Sequence, residues 1–160
     1  MTEDEIRLAI KNNQPINWYY ISYHQKLSEE FIRKFADKVD WINVSSHQKL
    51  SEEFIREFSD KVNWYHISRQ KLSEDLIREF QDRVDWYYIS SRQKLSEEFI
   101  RKFSDKVNWY NISHNQKLSE EFIREFASKL DKYYLINNYK ISLDIKEKIK
   151  LHFDDWAKEA

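Results

Sequence analysis

The sequence of 160 residues contains no glycine, no cysteine and a single proline, Pro15. Glycine is the residue that phosphate-binding loops, primed hairpin turns and most left-handed helix caps require. Without cysteine there is no disulfide, no thiol nucleophile and no thiolate ligand for a metal. These absences favour short helices joined by polar turns, and they exclude glycine-loop nucleotide binding and thiol catalysis.

Neither the charge nor the hydropathy of the chain predicts a polyanion or a membrane as its partner. The chain has 27 basic and 28 acidic residues and a net charge of −1, so bulk attraction to nucleic acid or to an anionic membrane is not expected. No apolar run approaches the length of a transmembrane helix. The acidic start over 1–5 is unlike a basic signal peptide. We therefore expect an intracellular, cytoplasmic protein.

Internal repetition is the strongest feature of the sequence. Tryptophans recur at steps of 23, 23, 22 and 23 residues, and serines recur at nearly the same interval. These residues are Trp18, Trp41, Trp64, Trp86 and Trp109, and Ser28, Ser51, Ser73, Ser96 and Ser119. We assign an N-terminal cap to 1–16, five repeats to 17–130, and a degenerate sixth repeat with a C-terminal cap to 131–160.

Each repeat contains two helix-start signals. In the fourth repeat, Ser96 is a favourable N-cap followed by two glutamates, and apolar residues then recur every four positions. This pattern predicts an amphipathic helix of three turns that extends to Val107. Asp85 caps a second, shorter helix that is expected to end near Arg92. A single repeat has too few apolar residues to offset the entropy of ordering it, so the repeats must stack on one another.

The predicted fold is all-α: an α-solenoid of about six stacked helix–turn–helix repeats with degenerate capping ends, in one domain over 1–160. We expect Phe99 to face the preceding repeat and Ile100 to face the following one. At the first helix, which has no preceding neighbour, Glu5 takes the place of the phenylalanine. At the last helix Lys146 takes the place of the isoleucine. Polar ends oppose end-to-end stacking, so we expect a monomer.

The repeat motif, W-x-x-I-S-x-x-Q-K-L-S-E-E-F-I-R-E-F-x-D-K-V, resembles the short helical repeats of proteins encoded by giant DNA viruses of amoebae. The resemblance covers Asn17 to about Leu130 and includes both helix caps and every apolar position of the repeat. It implies a virus-encoded interaction scaffold that acts in the host cell. It implies no particular activity.

No group of residues predicts catalysis, a metal or a cofactor. The repeated glutamate pairs lie at helix starts, where they oppose the helix dipole and aid solubility. His24 and His47 share one position in neighbouring repeats, but stacked helices lie roughly 8–10 Å apart, too far to share one zinc ion directly. The tryptophans and the tyrosines beside them would suit base stacking. Their spacing favours a core instead, with the tyrosines partly buried.

Two positions of the repeat vary in residue type, whereas the caps and apolar positions recur. One lies in the short helix and the other in the linker after it, and stacking is expected to align them. Their tyrosine, histidine, asparagine and arginine content suits recognition, although neutral drift on a wet surface would also produce variation. We call these residues the strip: Tyr20, Tyr23, His24, Asn43, His47, His66, Arg69, Tyr88, Arg92, Asn111 and His114.

Three functions are compatible with the sequence. We favour a non-catalytic scaffold or adaptor that binds another protein along the strip, because solenoids offer extended surfaces and the charge is balanced. The alternative is a helical repeat protein that binds nucleic acid, for which Arg69 and Arg92 supply fixed positive charge. The third is a structural component that self-associates, for instance within a particle.

Overall fold

The computed structural model describes residues 1–160 and contains thirteen α-helices and no strand. The chain divides into two compact units, Met1–Gln70 and Lys71–Ala160. In each unit, short helices alternate with the period of the tryptophans and serines, which confirms the prediction of an all-α helical repeat solenoid. None of the thirteen helices is both long enough and apolar enough to cross a membrane. A single domain over 1–160 stays a prediction.

The helices follow the repeat in both units. Unit 1 contains α1 (Glu3–Lys11), α2 (Trp18–His24), α3 (Glu29–Lys34), α4 (Trp41–His47), α5 (Glu52–Glu57) and α6 (Trp64–Ile67). Unit 2 contains α7 (Glu74–Glu79), α8 (Trp86–Arg92), α9 (Glu97–Lys102), α10 (Trp109–Asn115), α11 (Glu120–Glu125), α12 (Lys132–Asn137) and α13 (Leu143–Glu159). The residue that the third repeat lacks coincides with the short α6, which has four residues.

Both helix-start signals of the repeat are confirmed. The Ser96 hydroxyl accepts the backbone N–H of Phe99 at 3.1 Å, and the Asn108 side chain accepts the N–H of Asn111 at 2.9 Å. Each bond satisfies one of the N–H groups that the first turn of a helix leaves without a partner. Polar N-caps therefore position every helix start, including those of the repeat helices, which have only one or two turns.

The predicted three-turn helix from Ser96 to Val107 is wrong in its length. Helix α9 ends at Lys102, and the chain continues as a turn closed by the N–H of Val107 on the carbonyl of Phe103 at 3.0 Å. The α-helical pattern breaks at Ser104, whose N–H donates to the carbonyl of Arg101 at 3.3 Å instead of that of Ile100. The Ser104 carbonyl then accepts the indole N–H of Trp109 in the next helix at 3.0 Å.

Aromatic rings fill the core between the two helices of a repeat. The Trp86 ring lies 6.2 Å from the ring of Phe99 and 5.2 Å from that of Phe103, measured between centroids. Phe99 is fully buried, and the guanidinium of Arg78 in the preceding repeat lies 5.2 Å from its ring centroid. This contact agrees with the expectation that the phenylalanine faces the preceding repeat. The tryptophans are mostly half-buried and edge this core.

Within each unit, a buried amide joins neighbouring repeats. Gln116 accepts the N–H of Leu95 at 3.2 Å, and its Nε2 donates to the carbonyls of Ser90 and Gln93 at 2.9 and 2.8 Å. Gln48 makes the corresponding three bonds in unit 1. Three hydrogen bonds in a buried position fix the register of neighbouring repeats, because any slip would leave their donors and acceptors unpaired.

Serine and glutamate side chains add two further links between repeats. The Ser90 hydroxyl accepts the backbone N–H of Asn108 at 2.9 Å. The Glu97 carboxylate accepts the N–H and the hydroxyl of Ser119 at 2.6 and 3.0 Å. The first glutamate of the repeat therefore holds the N-cap of the next repeat, in addition to the dipole role expected from sequence.

Helix α13 covers the C-terminal end of unit 2. It has 17 residues, packs against α11 and α12, and buries Ile149, Phe153 and Trp156. The Arg124 guanidinium lies 4.6 Å from the Trp156 ring centroid, as arginines in earlier repeats lie over phenylalanines. A tryptophan on the cap thus replaces the aromatic ring that a further repeat would supply.

Candidate functional site

The strip residues differ in how far they reach the surface. In unit 1, Asn43 is buried and His66 is half-buried, while five strip residues are exposed: Tyr20, Tyr23, His24, His47 and Arg69. In unit 2, Asn111 is buried and Tyr88 is half-buried, while Arg92 and His114 are exposed. Seven of the eleven strip residues therefore offer an exposed side chain to a partner.

In unit 1 the exposed strip residues form ring contacts within and between repeats. The Tyr20 and His24 rings, one helical turn apart on α2, lie 4.4 Å apart between centroids. The Tyr23 ring lies 4.2 Å from the ring of His47 in the next repeat. The structure thus brings both variable positions of the repeat together on one surface of this unit, as stacking predicts.

In unit 2 the strip residues also meet aromatic rings. The Arg92 guanidinium lies 5.7 Å from the Tyr88 ring centroid, within the range of a cation–π contact. The His114 ring lies 5.6 Å from that of Tyr134, and Tyr134 lies 4.2 Å from Tyr110. The hydrogen bond with Tyr110 raises the pKa of the Tyr134 hydroxyl, with smaller contributions from burial and charge.

The two asparagines of the strip lie beneath the surface, which corrects their assignment as partner contacts. Only 6% of Asn43 and 3% of Asn111 is exposed. The Asn111 Nδ2 donates to the carbonyl of Tyr87 in the preceding repeat at 3.2 Å, whereas the Nδ2 of Asn43 is buried without a hydrogen-bond partner. The third residue of the short helix faces the preceding repeat here, so a small side chain at this position is covered.

A row of exposed side chains lies beside the strip and includes the tyrosines that follow the tryptophans in the sequence. We call it the aromatic row because five of its six members are tyrosines. It consists of Tyr19, Ile42 and Tyr65 in unit 1 and Tyr87, Tyr110 and Tyr133 in unit 2. These side chains are between 48% and 67% exposed, so each is partly covered, as expected of the tyrosines, but offers about half of its surface or more to solvent. One position along a helix rotates the side chain by about 100°. The residue after the half-buried tryptophan therefore points outward. A helical projection of the repeat sequence would have indicated this exposure.

The pKa of the His66 imidazole in the strip is lowered below its usual value. Partial burial lowers the pKa of its imidazole, and the positive charges of Arg69 and His47 lower it further. A histidine in these surroundings favours the neutral form, which can donate one hydrogen bond and accept another.

No group of three or more histidine, cysteine or carboxylate side chains is placed to hold a metal ion. Comparison of the chain with protein-family models, with curated proteins and with solved structures finds no match. The chemistry of the surface is therefore the basis for a functional assignment. That surface combines exposed aromatic rings, imidazoles and guanidinium groups on the short helices.

Proposed function

We propose that the protein is a non-catalytic scaffold that binds a partner protein through the exposed strip residues and the aromatic row. The observation that carries the proposal is the aromatic row, in which every repeat exposes one large side chain from its short helix. Tyrosine is enriched at protein interfaces, since it offers a large contact area and a hydroxyl at a low cost in conformational entropy.

The contacts around the row support the same function. Ring contacts such as Tyr23 with His47 and Tyr110 with Tyr134 restrain exposed side chains before a partner arrives. Preorganised side chains lose less conformational entropy on binding. We also propose, as the resemblance to repeat proteins of giant DNA viruses implies, that the partner is a protein of the infected host cell.

The proposal predicts that partner capture depends on the exposed tyrosines of the row and of the strip. We would capture proteins from lysate with the wild type, with a tyrosine variant of each unit, and with a matched surface control, each with and without nuclease. The unit 1 variant combines Tyr19→Ala, Tyr23→Ala and Tyr65→Ala. The unit 2 variant combines Tyr87→Ala, Tyr110→Ala and Tyr133→Ala. The control combines Glu30→Ala, Glu53→Ala and Glu98→Ala. All nine side chains are exposed, so circular dichroism should show an unchanged fold.

The proposal is supported if one protein is captured by the wild type and by the control but not by a tyrosine variant. That protein should also bind the wild type directly when it is purified. We expect each tyrosine variant to bind that protein at least about tenfold more weakly, since interface tyrosines are often energetic hot spots. Capture that nuclease abolishes would indicate a nucleic-acid partner instead. Equal capture by all four proteins would contradict binding through the row.

A further inference from the structure

Unit 2 contains a groove of about 830 Å³ between the linkers of its last three repeats. Its apolar lining comes from the side chains of Leu95, Leu118 and Ile145. The exposed Lys94, Lys117 and Lys140 line it as well, each two residues before the N-cap serine of a helix. The same groove therefore combines apolar surface with one ammonium group from each of three successive repeats.

The charge of the groove differs from that of the whole chain. Neither Lys94 nor Lys117 forms an ion pair with a carboxylate of the chain, and Lys140 donates to the backbone carbonyl of Asn115. The only carboxylate in the lining is that of Glu97, which is already bonded to the N-cap Ser119. The groove is thus positively charged although the protein carries a net charge of −1.

The first donor without an acceptor in the groove is the backbone N–H of Leu118. The corresponding N–H groups of Leu72 and Leu95 donate to glutamine side chains of the next repeat at 3.0 and 3.2 Å. At this position the next repeat has Asn138, which is shorter by one methylene, and its Oδ1 accepts the N–H of Lys140 instead. Leu118 is 3% exposed, so its N–H lacks a partner in a mostly apolar environment.

The second such donor is Ser142, the N-cap of α13. In the preceding repeat, Glu97 accepts both the N–H and the hydroxyl of Ser119. The corresponding glutamate, Glu120, bonds instead to Arg124 at 2.5 Å and to Lys148 at 2.7 Å. The N–H of Ser142 therefore has no acceptor in the chain, at a position where a carboxylate binds in the other repeats.

We propose that this groove binds an extended segment of a partner protein that carries acidic and apolar side chains. One carboxylate of the segment accepts the N–H and hydroxyl of Ser142, as Glu97 does at Ser119, and apolar side chains lie on Leu95 and Leu118. Successive repeats lie roughly 8–10 Å apart, and three residues of an extended polyproline-type segment span about 9 Å. Acidic residues at every third position would then meet successive lysines. No strip or aromatic-row residue lines the groove, so this inference is independent of the proposed function.

The test is a selection of nine-residue peptides from a random phage-displayed library on the full-length protein. Selected peptides are then measured by fluorescence anisotropy on the wild type, on Lys94→Ala with Lys117→Ala, and on the matched control Lys26→Ala with Lys49→Ala. The control removes the lysines at the same repeat position in unit 1. All four lysines are exposed, so circular dichroism should show that both variants fold.

We expect acidic and apolar residues to dominate the selected peptides. These peptides should bind the groove variant about tenfold more weakly and the control as tightly as wild type, because lost charge complementarity weakens the complex. Glutamate-to-glutamine peptides should lose binding, and the amide NMR signals of Leu118 and Ser142 should shift with the acidic peptide alone. The proposal is overturned if no peptide is enriched, if enriched peptides lack acidic residues, or if the groove variant binds them normally. The proposal would also be overturned if decanoate displaced the peptides and bound with the same affinity as they do, since the groove would then be a site for a small amphiphile.

Discussion

At the scale of the residue, His66 shows how the repeat adapts one position to different side chains. Its position in the short helix is occupied by asparagine in the second and fifth repeats and by tyrosine in the first and fourth. The asparagines are buried, whereas His66 is half-buried and lies close enough to Arg69 and His47 for their positive charge to disfavour its protonation. Burial and like charge both oppose protonation, and so both lower the pKa of His66 in the folded state.

The lowered pKa of His66 predicts a loss of stability in mild acid. The unfolded chain takes up the proton more readily than the folded one, so the stabilisation is complete above about pH 6.5 and declines as the pH falls below that value. Urea unfolding should be compared at about pH 7.5 and about pH 5.5 for the wild type and for His66→Asn. The wild type should lose more free energy of unfolding between the two pH values. An equal loss in both proteins would show that His66 is not responsible.

At the scale of the element, the helices are too short to be stable alone and depend on their connections. Isolated helices of fewer than about 12 residues are marginal in water, and the repeat helices have four to seven residues. N-caps define where each helix begins, and buried amides tie the linker of one repeat to that of the next. Gln116 joins the linker after α8 to the linker after α10 in this way.

Removal of the Gln116 side chain should therefore destabilise unit 2. Gln116→Ala leaves one N–H and two carbonyls without a partner in a site where 2% of the residue is exposed. We expect a loss of about 2–4 kcal/mol in the free energy of unfolding, measured by urea denaturation with circular dichroism. The matched control is Gln25→Ala in the first repeat, whose side chain makes no hydrogen bond, and its effect should stay within about 0.5 kcal/mol. Similar losses of stability in both variants would mean that the hydrogen bonds of the Gln116 amide do not stabilise the protein specifically.

At the scale of the whole molecule, the ends of the repeats need protection from other copies of the chain. Repeat arrays expose an apolar face at each end unless a modified element covers it. At the C-terminal end α13 supplies that cover, with Ile149 fully buried and Leu151 on its outer, exposed face. At the N-terminal end α1 carries the exposed Glu5 where later repeats bury a phenylalanine or leucine. We therefore expect the protein to be a monomer of 19.9 kDa.

The cover can be tested by sedimentation velocity over a range of protein concentrations. Ile149→Asp places a charge in the contact of α13 with α11 and α12, which costs several kcal/mol when the charge has no partner. We expect α13 to detach and the uncovered apolar face to cause concentration-dependent association, while circular dichroism still reports helical repeats. Leu151→Asp is the control and should sediment as a monomer. Monomeric Ile149→Asp protein that keeps its helices would contradict a capping role for α13.

Much of the fold could be predicted because its determinants are local. Polar caps such as Ser96 and Asp85 act on N–H groups two or three residues away, and the period of the tryptophans fixes the size of the repeat. The length of the helix after Ser96 could not be predicted from the apolar period. The turn that follows α9 keeps Val107 hydrogen-bonded to the carbonyl of Phe103, so the apolar period continues where the helix has already ended.

The candidate site divides in the same way. The repeat, the helix starts and the variable positions can be read from the sequence alone, because they depend on residues close together in the chain. Which variable side chains reach solvent is set by tertiary contacts: Asn43 and Asn111 are buried, whereas Tyr19 and its counterparts point outward. The tertiary structure also placed Leu118 and Ser142 in one groove without their usual acceptors. Exposure and unpaired donors depend on contacts with a neighbouring repeat some 23 residues away, and those contacts exist only once the repeats have stacked.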